Sequence, residues 1–229
     1  MRQTLIMFSG KKKAGKNALC NFLINNYNEL FKQPKFLINL NNPSYPAALI
    51  GFADALKELI SFYFNIPIEV LYSNEKDTYV TNIKWNTLPN YTFLIDNGFV
   101  LEPNNYLTTR ELMQQIGAMF RKMNPNIWVD IFLKKVNYQF EHERKKLILC
   151  FDNRYLNELT LARNFCEESR YKFLSIKLTR QIDKDIHESE ISLDDHLNVF
   201  DVIIDNQNLT LEQTKRQLIK ILKEKGIIV

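Results

Sequence analysis

Apolar and polar positions along the chain follow two alternating rhythms. Thr4 to Ser9, apolar from Leu5 to Phe8, predicts a short buried strand that ends at Gly10. From Asn17 onward Leu19, Phe22, Leu23 and Tyr27 recur at three- and four-residue steps, which predicts a helix with one inward stripe. Ala47 to Phe52 predicts a second strand, followed by a helix through Asp54, Leu56, Leu59, Ile60 and Tyr63. Lys146–Phe151, Phe173–Leu178 and Asp201–Ile204 predict three more strands, with a helix from about Tyr155 to Glu168 between the first two. Thr108-Thr109-Arg110-Glu111 and Thr210-x-x-Gln213 have the capping-box spacing that satisfies the first N–H groups of a helix. The first predicts a helix to about Met123. The second predicts a final helix with Leu211, Thr214, Leu218 and Leu222 on its inner face. Asn124-Pro125-Asn126 breaks the chain before an amphipathic helix from Ile127 to about Glu143.

Strands alternating with helices predict an α/β fold, a mostly parallel sheet covered on both sides. Two stretches lack a sustained period. Residues 72–107 hold Pro89 and Pro103 and read as an insertion with a hairpin around Phe93–Leu101. Residues 180–198 are charged and read as a lid. The whole chain, 229 residues, fits one domain carrying that insertion and lid.

Composition narrows the function. Net charge is +4, from 30 basic and 26 acidic residues, too balanced for a duplex-DNA face, whereas a local lysine cluster suits a small polyanion. Cys20, Cys150 and Cys166 have neither zinc-site nor disulfide spacing and predict buried thiols in a reducing compartment. No apolar run approaches the roughly 18 residues of a membrane span. The apolar stretch Leu5–Phe8 precedes its lysines, the reverse of a signal peptide. The expectation is a soluble cytoplasmic protein that binds neither membrane nor polymeric nucleic acid.

Gly10-Lys11-Lys12-Lys13-Ala14-Gly15-Lys16 matches G-x-x-x-x-G-K between a predicted strand and a predicted helix. Glycines at both ends let the backbone curl so that N–H groups face phosphate oxygens, and the helix N-terminus adds partial positive charge. This predicts an ATP site on Gly10–Asn17 with Lys16 on the β- and γ-phosphates. Asn17 replaces the usual hydroxyl residue, and its amide oxygen can reach Mg2+ directly or through water.

Other candidates follow from position. At 100° per residue Arg110, Gln114, Gly117 and Arg121 share one stripe of their helix, opposite Leu112, Met113, Ile116, Met119 and Phe120. Guanidinium forks pair with phosphate and an amide reads a base edge, so the stripe suits a monophosphate acceptor, with Gly117 clearing space. Asp152 ends an apolar strand, where it holds Mg2+ through water, orients the acceptor, or caps the next helix. Arg154 either neutralises the transferring phosphoryl group or forms a surface ion pair. Asp54 and Lys57, three residues apart, either face the acceptor or serve their own helix. Arg180 is the candidate lid arginine, and His187, Glu188 and Glu190 either latch the lid, touch the acceptor or form a plain charged loop.

Phe8-Ser9-Gly10-Lys11-Lys12-Lys13-Ala14-Gly15-Lys16-Asn17 resembles the first motif of phage-type deoxynucleoside monophosphate kinases and of the related animal-type phosphomevalonate kinases. Phe52-Ala53-Asp54-Ala55-Leu56-Lys57 is similar to the FADPLK segment of the phage-type enzymes, and Thr109–Gly117 to their TxRELLQxxG helix, with Trp128 following. Phe151–Glu158 resembles SDVRFxNE, His187-Glu188-Ser189-Glu190 resembles HxSE, and Asp205-Asn206 resembles the ending of the last strand. Asn17 stands for Asp, Phe151 for Ser and Asn153 for an apolar residue. The resemblance implies an adenylate-kinase-like P-loop NTPase core. It implies ATP as donor with Mg2+, a deoxynucleoside monophosphate as acceptor, Trp128, His187 and Glu190 on the substrate side, and a homodimer. The alternatives are a phosphomevalonate kinase and a non-catalytic nucleotide-binding protein. The asparagine- and lysine-rich composition fits an AT-rich, viral source.

Overall fold

Side-chain alternation along the first strand divides the molecule's main core into two faces. In the computed structural model, which describes residues 2–31, 45–88, 91–96, 102, 104–181 and 192–228, that strand is β1 (Thr4–Ser9), buried at every position. It is followed by α1 (Lys16–Asn25), α2 (Tyr27–Leu30), β2 (Ala47–Leu49), α3 (Asp54–Phe64), α4 (Ile68–Tyr72), β3 (Val80–Lys84), α5 (Tyr91–Asp96), β4 (Tyr106–Thr108) and α6 (Thr109–Met123). Then come α7 (Ile127–Glu141), β5 (Leu147–Cys150), α8 (Leu156–Glu168), β6 (Lys172–Leu178), β7 (Val202–Ile204) and α9 (Leu211–Glu224). Ile6 and Phe8 pack with Leu19 and Leu23 of α1 and with Leu218 and Leu222 of α9. Leu5 and Met7 pack on the opposite face with Phe132 and Val136 of α7 and Leu159 and Ala162 of α8. Burying each such side chain contributes about 1.5–3 kcal/mol, so a strand buried on both faces anchors the sheet.

The chain forms two compact units, Met1–Phe52 with Val129–Val229, and Ala53–Trp128. The first contains a five-stranded sheet in the order β2-β5-β1-β6-β7 with every pair parallel. The chain steps out from β1 to β2, returns to β5 beside β1, and crosses to β6 on the other side. β1 is therefore the point where strand order reverses. In open α/β sheets ligands bind beyond the carboxyl end of strands at that point.

The second unit contains α3 to α6 and an antiparallel pair, Val80↔Thr108 and Lys84↔Tyr106, with a register shift between them. This corrects the hairpin expected around Phe93–Leu101. Tyr91–Asp96 is helical, starting from a Trp85–Thr87 turn whose Leu88 carbonyl accepts from Tyr91 N–H at 3.1 Å. Residues 97–101 lie outside the described residues. Strand propensity in Tyr91–Ile95 yields to its local context. The real strand is cryptic because Val80 is exposed and Thr81 buried, the reverse of the usual pattern. Both capping boxes, at Thr108 and Thr210, are formed as the spacing predicts. Leu211 is exposed, so the inner face of α9 begins at Thr214. The three cysteines are buried thiols. Among the described residues no helix is long and apolar enough to cross a membrane.

A polar tie fixes β6 against β7. One oxygen of Asp201 accepts from Ser175 N–H at 2.8 Å and Ser175 Oγ at 2.7 Å, and the other from Arg163 Nη1 at 2.7 Å. Burial pushes this carboxyl up, but the hydrogen bonds from Arg163 and Ser175 outweigh it and hold the group below the usual carboxylate range. Its stabilising contribution is then present above the unfolded pKa and is lost as pH falls through the folded one. Asp201→Asn is expected to cost about 1–2 kcal/mol at pH 7, the partly exposed carboxylate being screened by water. The gap in urea unfolding between variant and wild type should hold above about pH 4 and close only as pH falls on through the depressed folded pKa; a gap independent of pH would contradict the assignment.

Candidate phosphate-binding site

The turn after β1 is built on left-handed backbone at Gly10 (φ 153°), Lys13 (φ 63°) and Gly15 (φ 104°). Gly10 is sterically required as well. A Cβ there would stand 2.9 Å from the Leu178 carbonyl oxygen and 3.2 Å from the Ala14 Cβ. Gly15 is the N-cap of α1 and supplies no side-chain acceptor, and the first turn carries no acidic residue. The orphan N–H groups of that turn thus meet no side-chain anion from their own helix.

Lys16 closes the turn on itself. Its ammonium donates to the Gly10 carbonyl at 2.6 Å and the Lys11 carbonyl at 2.8 Å. Burial pushes its pKa down to about 7, and the Arg154 guanidinium pushes the same way while Asp152 partly opposes. The site therefore destabilises its own cation, and an incoming anion relieves that penalty.

Neighbouring strand ends hold the turn in place. Asn206, buried past β7, donates from Nδ2 to the Ala14 carbonyl at 3.0 Å and accepts from Arg180 N–H at 2.9 Å. The Arg180 guanidinium donates to the carbonyls of Asn206, at 2.9 Å from Nη2, and of Leu209. Ser9 Oγ donates to the Asn153 carbonyl at 3.2 Å, joining the end of β1 to the segment after β5. Asp152 Oδ1 accepts from Phe52 N–H at 3.0 Å and from the Cys150 thiol at 3.3 Å. The helix cap considered for Asp152 is supplied instead by buried Glu158, whose Oε2 accepts from Arg154 N–H at 2.7 Å and Tyr155 N–H at 3.0 Å.

Lys16, Asp152 and Arg154 thus gather at the carboxyl ends of β1 and β5, within electrostatic reach of one another. Lys11 forms an ion pair with Asp194. Lys12 is half-buried, and Lys13 and Asn17 are exposed. Arg180 serves the Asn206–Leu209 backbone in this structure. His187, Glu188 and Glu190 lie outside the described residues.

The second unit holds the remaining candidates. Asp54 Oδ1 accepts from Tyr72 OH at 2.9 Å and stands 3.4 Å from Lys57 Nζ, which lies 3.9 Å from the Tyr72 ring centroid. Arg110 is ion-paired with Asp77, and Gln114 and Arg121 are half-buried on the same helix. One expectation needs correction. Gly117 is buried and clears space for protein, since a Cβ there would come 3.2 Å from Leu56 Cδ2 of α3. Trp128 is also interior, its indole donating to the Gly117 carbonyl at 3.3 Å and tilted against Phe120 at 5.5 Å. Close packing of α3 on α6 rotates the buried arc toward Leu112, Ile116 and Gly117 and leaves Met119 half exposed.

Lys177, Asp194 and Tyr72 escaped the sequence reading, and Asn206 entered it only as the ending of the last strand, without its bond to Ala14. One signal was available: Lys177 is a charge set between Ile176 and Leu178 near the end of a predicted strand.

Magnesium usually keeps several waters and takes one or two carboxylates plus phosphate oxygens. Among the described residues no cluster of three or more His, Cys, Asp or Glu is poised to cage a metal. One carboxylate, Asp152, and the exposed amide of Asn17 fit an ion carried mainly by phosphate and water.

No protein-family model matches the chain, and no curated protein matches it in sequence. Among solved structures it is similar to a hexameric APS kinase from Thiobacillus denitrificans, at 12% identity and a TM-score of 0.41, covering 100% of this chain and 30% of that one. It is also similar to an APS kinase from Mycobacterium tuberculosis, at 9% identity and a TM-score of 0.40, covering 97% of this chain and 98% of that one. The chain thus spans less than a third of the first of these proteins. Likenesses of this depth carry no weight on activity. The sheet order, the turn at its reversal point and the lysine inside that turn define a P-loop α/β fold.

Gly10→Ala should destabilise the fold by about 1–3 kcal/mol through the Leu178 clash and the backbone strain. It should also weaken ATP binding at least about tenfold, because misplacing a donor constellation by an ångström is costly. Thermal unfolding and calorimetric titration check both; unimpaired binding would refute the role of the turn.

Proposed function

We propose that the chain transfers the γ-phosphate of ATP to a deoxynucleoside 5′-monophosphate. The observation that carries the reading is the desolvated Lys16 ammonium held inside the Gly10–Gly15 turn beside Arg154 and Asp152. A triphosphate tail supplies the anionic oxygens this arrangement favours. Lys16 exchanges its two carbonyl partners for β- and γ-oxygens, and the amides of the turn and of the α1 N-terminus take the rest. Mg2+, held by Asp152 and Asn17 through water, would neutralise charge between the phosphates. Arg154 stabilises the charge that spreads over the transferring group.

The acceptor class rests on the ordered resemblance to phage-type deoxynucleoside monophosphate kinases and on side chains of the second unit. Arg110 exchanges Asp77 for the acceptor phosphate, which guanidinium binds with two parallel hydrogen bonds. Gln114 addresses the base, with Arg121 as further charge. Asp54, held by Tyr72 and Lys57, offers an acceptor for a sugar hydroxyl or base N–H. An oxygen of the acceptor monophosphate attacks the γ-phosphorus in line. The bond to the β–γ bridging oxygen breaks, and ADP leaves with that electron pair. The attacking oxygen is already ionised, so no general base takes part. Arg180 acts at one remove, holding Asn206 against the turn.

ADP release measured with ATP, magnesium and each of the four deoxynucleoside monophosphates should show turnover of at least one. Turnover of mevalonate 5-phosphate alone would make the chain a phosphomevalonate kinase, and ATP binding without any transfer would make it a nucleotide-binding protein. Lys16→Ala should lose about 100-fold or more in kcat/KM while circular dichroism shows an intact fold. Retained turnover would remove Lys16 from the chemistry.

A further inference from the structure

We propose that Lys177 is a third phosphate-binding cation of this site and that Asp194 is its resident counter-ion, exchanged for the triphosphate when nucleotide binds. The inference rests on the P-loop reading above, but not on the identity of the acceptor.

Lys177 lies next to the turn by register. It pairs with Ser9, the residue before Gly10, in the parallel ladder of β1 and β6. Its side chain is 8% exposed, in a strand otherwise buried from Leu174 onward. A buried ammonium costs several kcal/mol unless it is paired and hydrogen-bonded. Among the described residues its only anionic partner is Asp194 Oδ1 at 3.9 Å, beyond hydrogen-bond range, and its only other contact with a charge-stabilising group is the Phe200 ring at 5.7 Å. Asp194 meanwhile pairs closely with Lys11 of the turn itself and is 41% exposed. A single half-exposed carboxylate therefore serves two lysines, and serves the buried one poorly.

The wider charge balance points the same way. Lys177 and Arg154 both repel the proton on Lys16, and Lys11 repels that on Lys177. Among the described residues, Lys16, Arg154, Lys177 and Lys11 are coupled at this end of the sheet, and the carboxylates coupled to them are Asp152 and Asp194. A purely structural lysine would be expected to carry a well-formed hydrogen bond, as Lys145 does to the Tyr45 carbonyl at 2.8 Å. Asp194 can leave without opening the core. Its neighbour Leu193 supplies the buried anchor there, 3% exposed, and Ser192 Oγ donates to the Arg154 carbonyl.

The probe is inorganic triphosphate, which carries the charge without base or sugar, titrated by calorimetry into the full chain alongside AMP. Lys177→Met should lose about tenfold in affinity for triphosphate, lose less for AMP, and unfold at the same temperature as wild type or higher. Lys177→Arg should recover most of the loss. Asp194→Asn should bind triphosphate severalfold more tightly, because the competing carboxylate is gone. Equal triphosphate affinity in wild type, Lys177→Met and Asp194→Asn would overturn the proposal even if the monophosphate assay showed transfer. Transfer to no monophosphate, with the Lys177→Met loss intact, would overturn the acceptor assignment and leave Lys177 in the cradle. A wild type that binds no triphosphate would overturn both.

Discussion

The Lys16 ammonium, closed into a ring of its own loop's carbonyls, is the interaction on which the rest of this structure depends. It needs Gly10, because only a residue without Cβ fits beneath the Leu178 carbonyl at a φ of 153°. It needs β1 to end where it does, because β1 is the strand at which the strand order reverses. It needs the turn to stay curled, which Asn206 secures by holding the Ala14 carbonyl. The two apolar faces of the sheet, filled by α1 and α9 on one side and by α7 and α8 on the other, make that geometry rigid. A desolvated cation in a rigid frame is an anion site waiting for a multivalent partner, since the cost of burying the charge has already been met by folding.

Much of this could be read from residue order. The strand, turn and helix from Thr4 to Asn25 were legible because the buried run, the glycine spacing and the helical stripe are local signals that agree. The two capping boxes were legible for the same reason, since Thr108 reaches Glu111 and Thr210 reaches Gln213 within one turn. Lys16, Asp152 and Arg154 came together because strand ends at a reversal point converge whatever the details of the loops.

What escaped was set by tertiary contact. Asn206 touches Ala14 across 192 residues, and no local pattern announces that hydrogen bond. Gly117 looked like cleared space on a polar stripe because periodicity cannot tell a ligand from a neighbouring helix; Leu56 occupies that space. Trp128 was carried over by resemblance, and its indole is spent on the Gly117 carbonyl. The antiparallel pair in the second unit was hidden because Val80 faces solvent and Thr81 does not. Asp152 was weighed as a helix cap, but Glu158 was better placed to serve the N–H groups after β5.

The most direct test of the central claim is hydrogen exchange of the backbone amides of residues 10–17 in the presence of saturating ATP and magnesium. If the turn grips the triphosphate, these amides slow sharply while those of α7, on the opposite face of the sheet, are unchanged. If ATP binds and the 10–17 amides exchange as fast as before, the nucleotide sits elsewhere and the account is wrong.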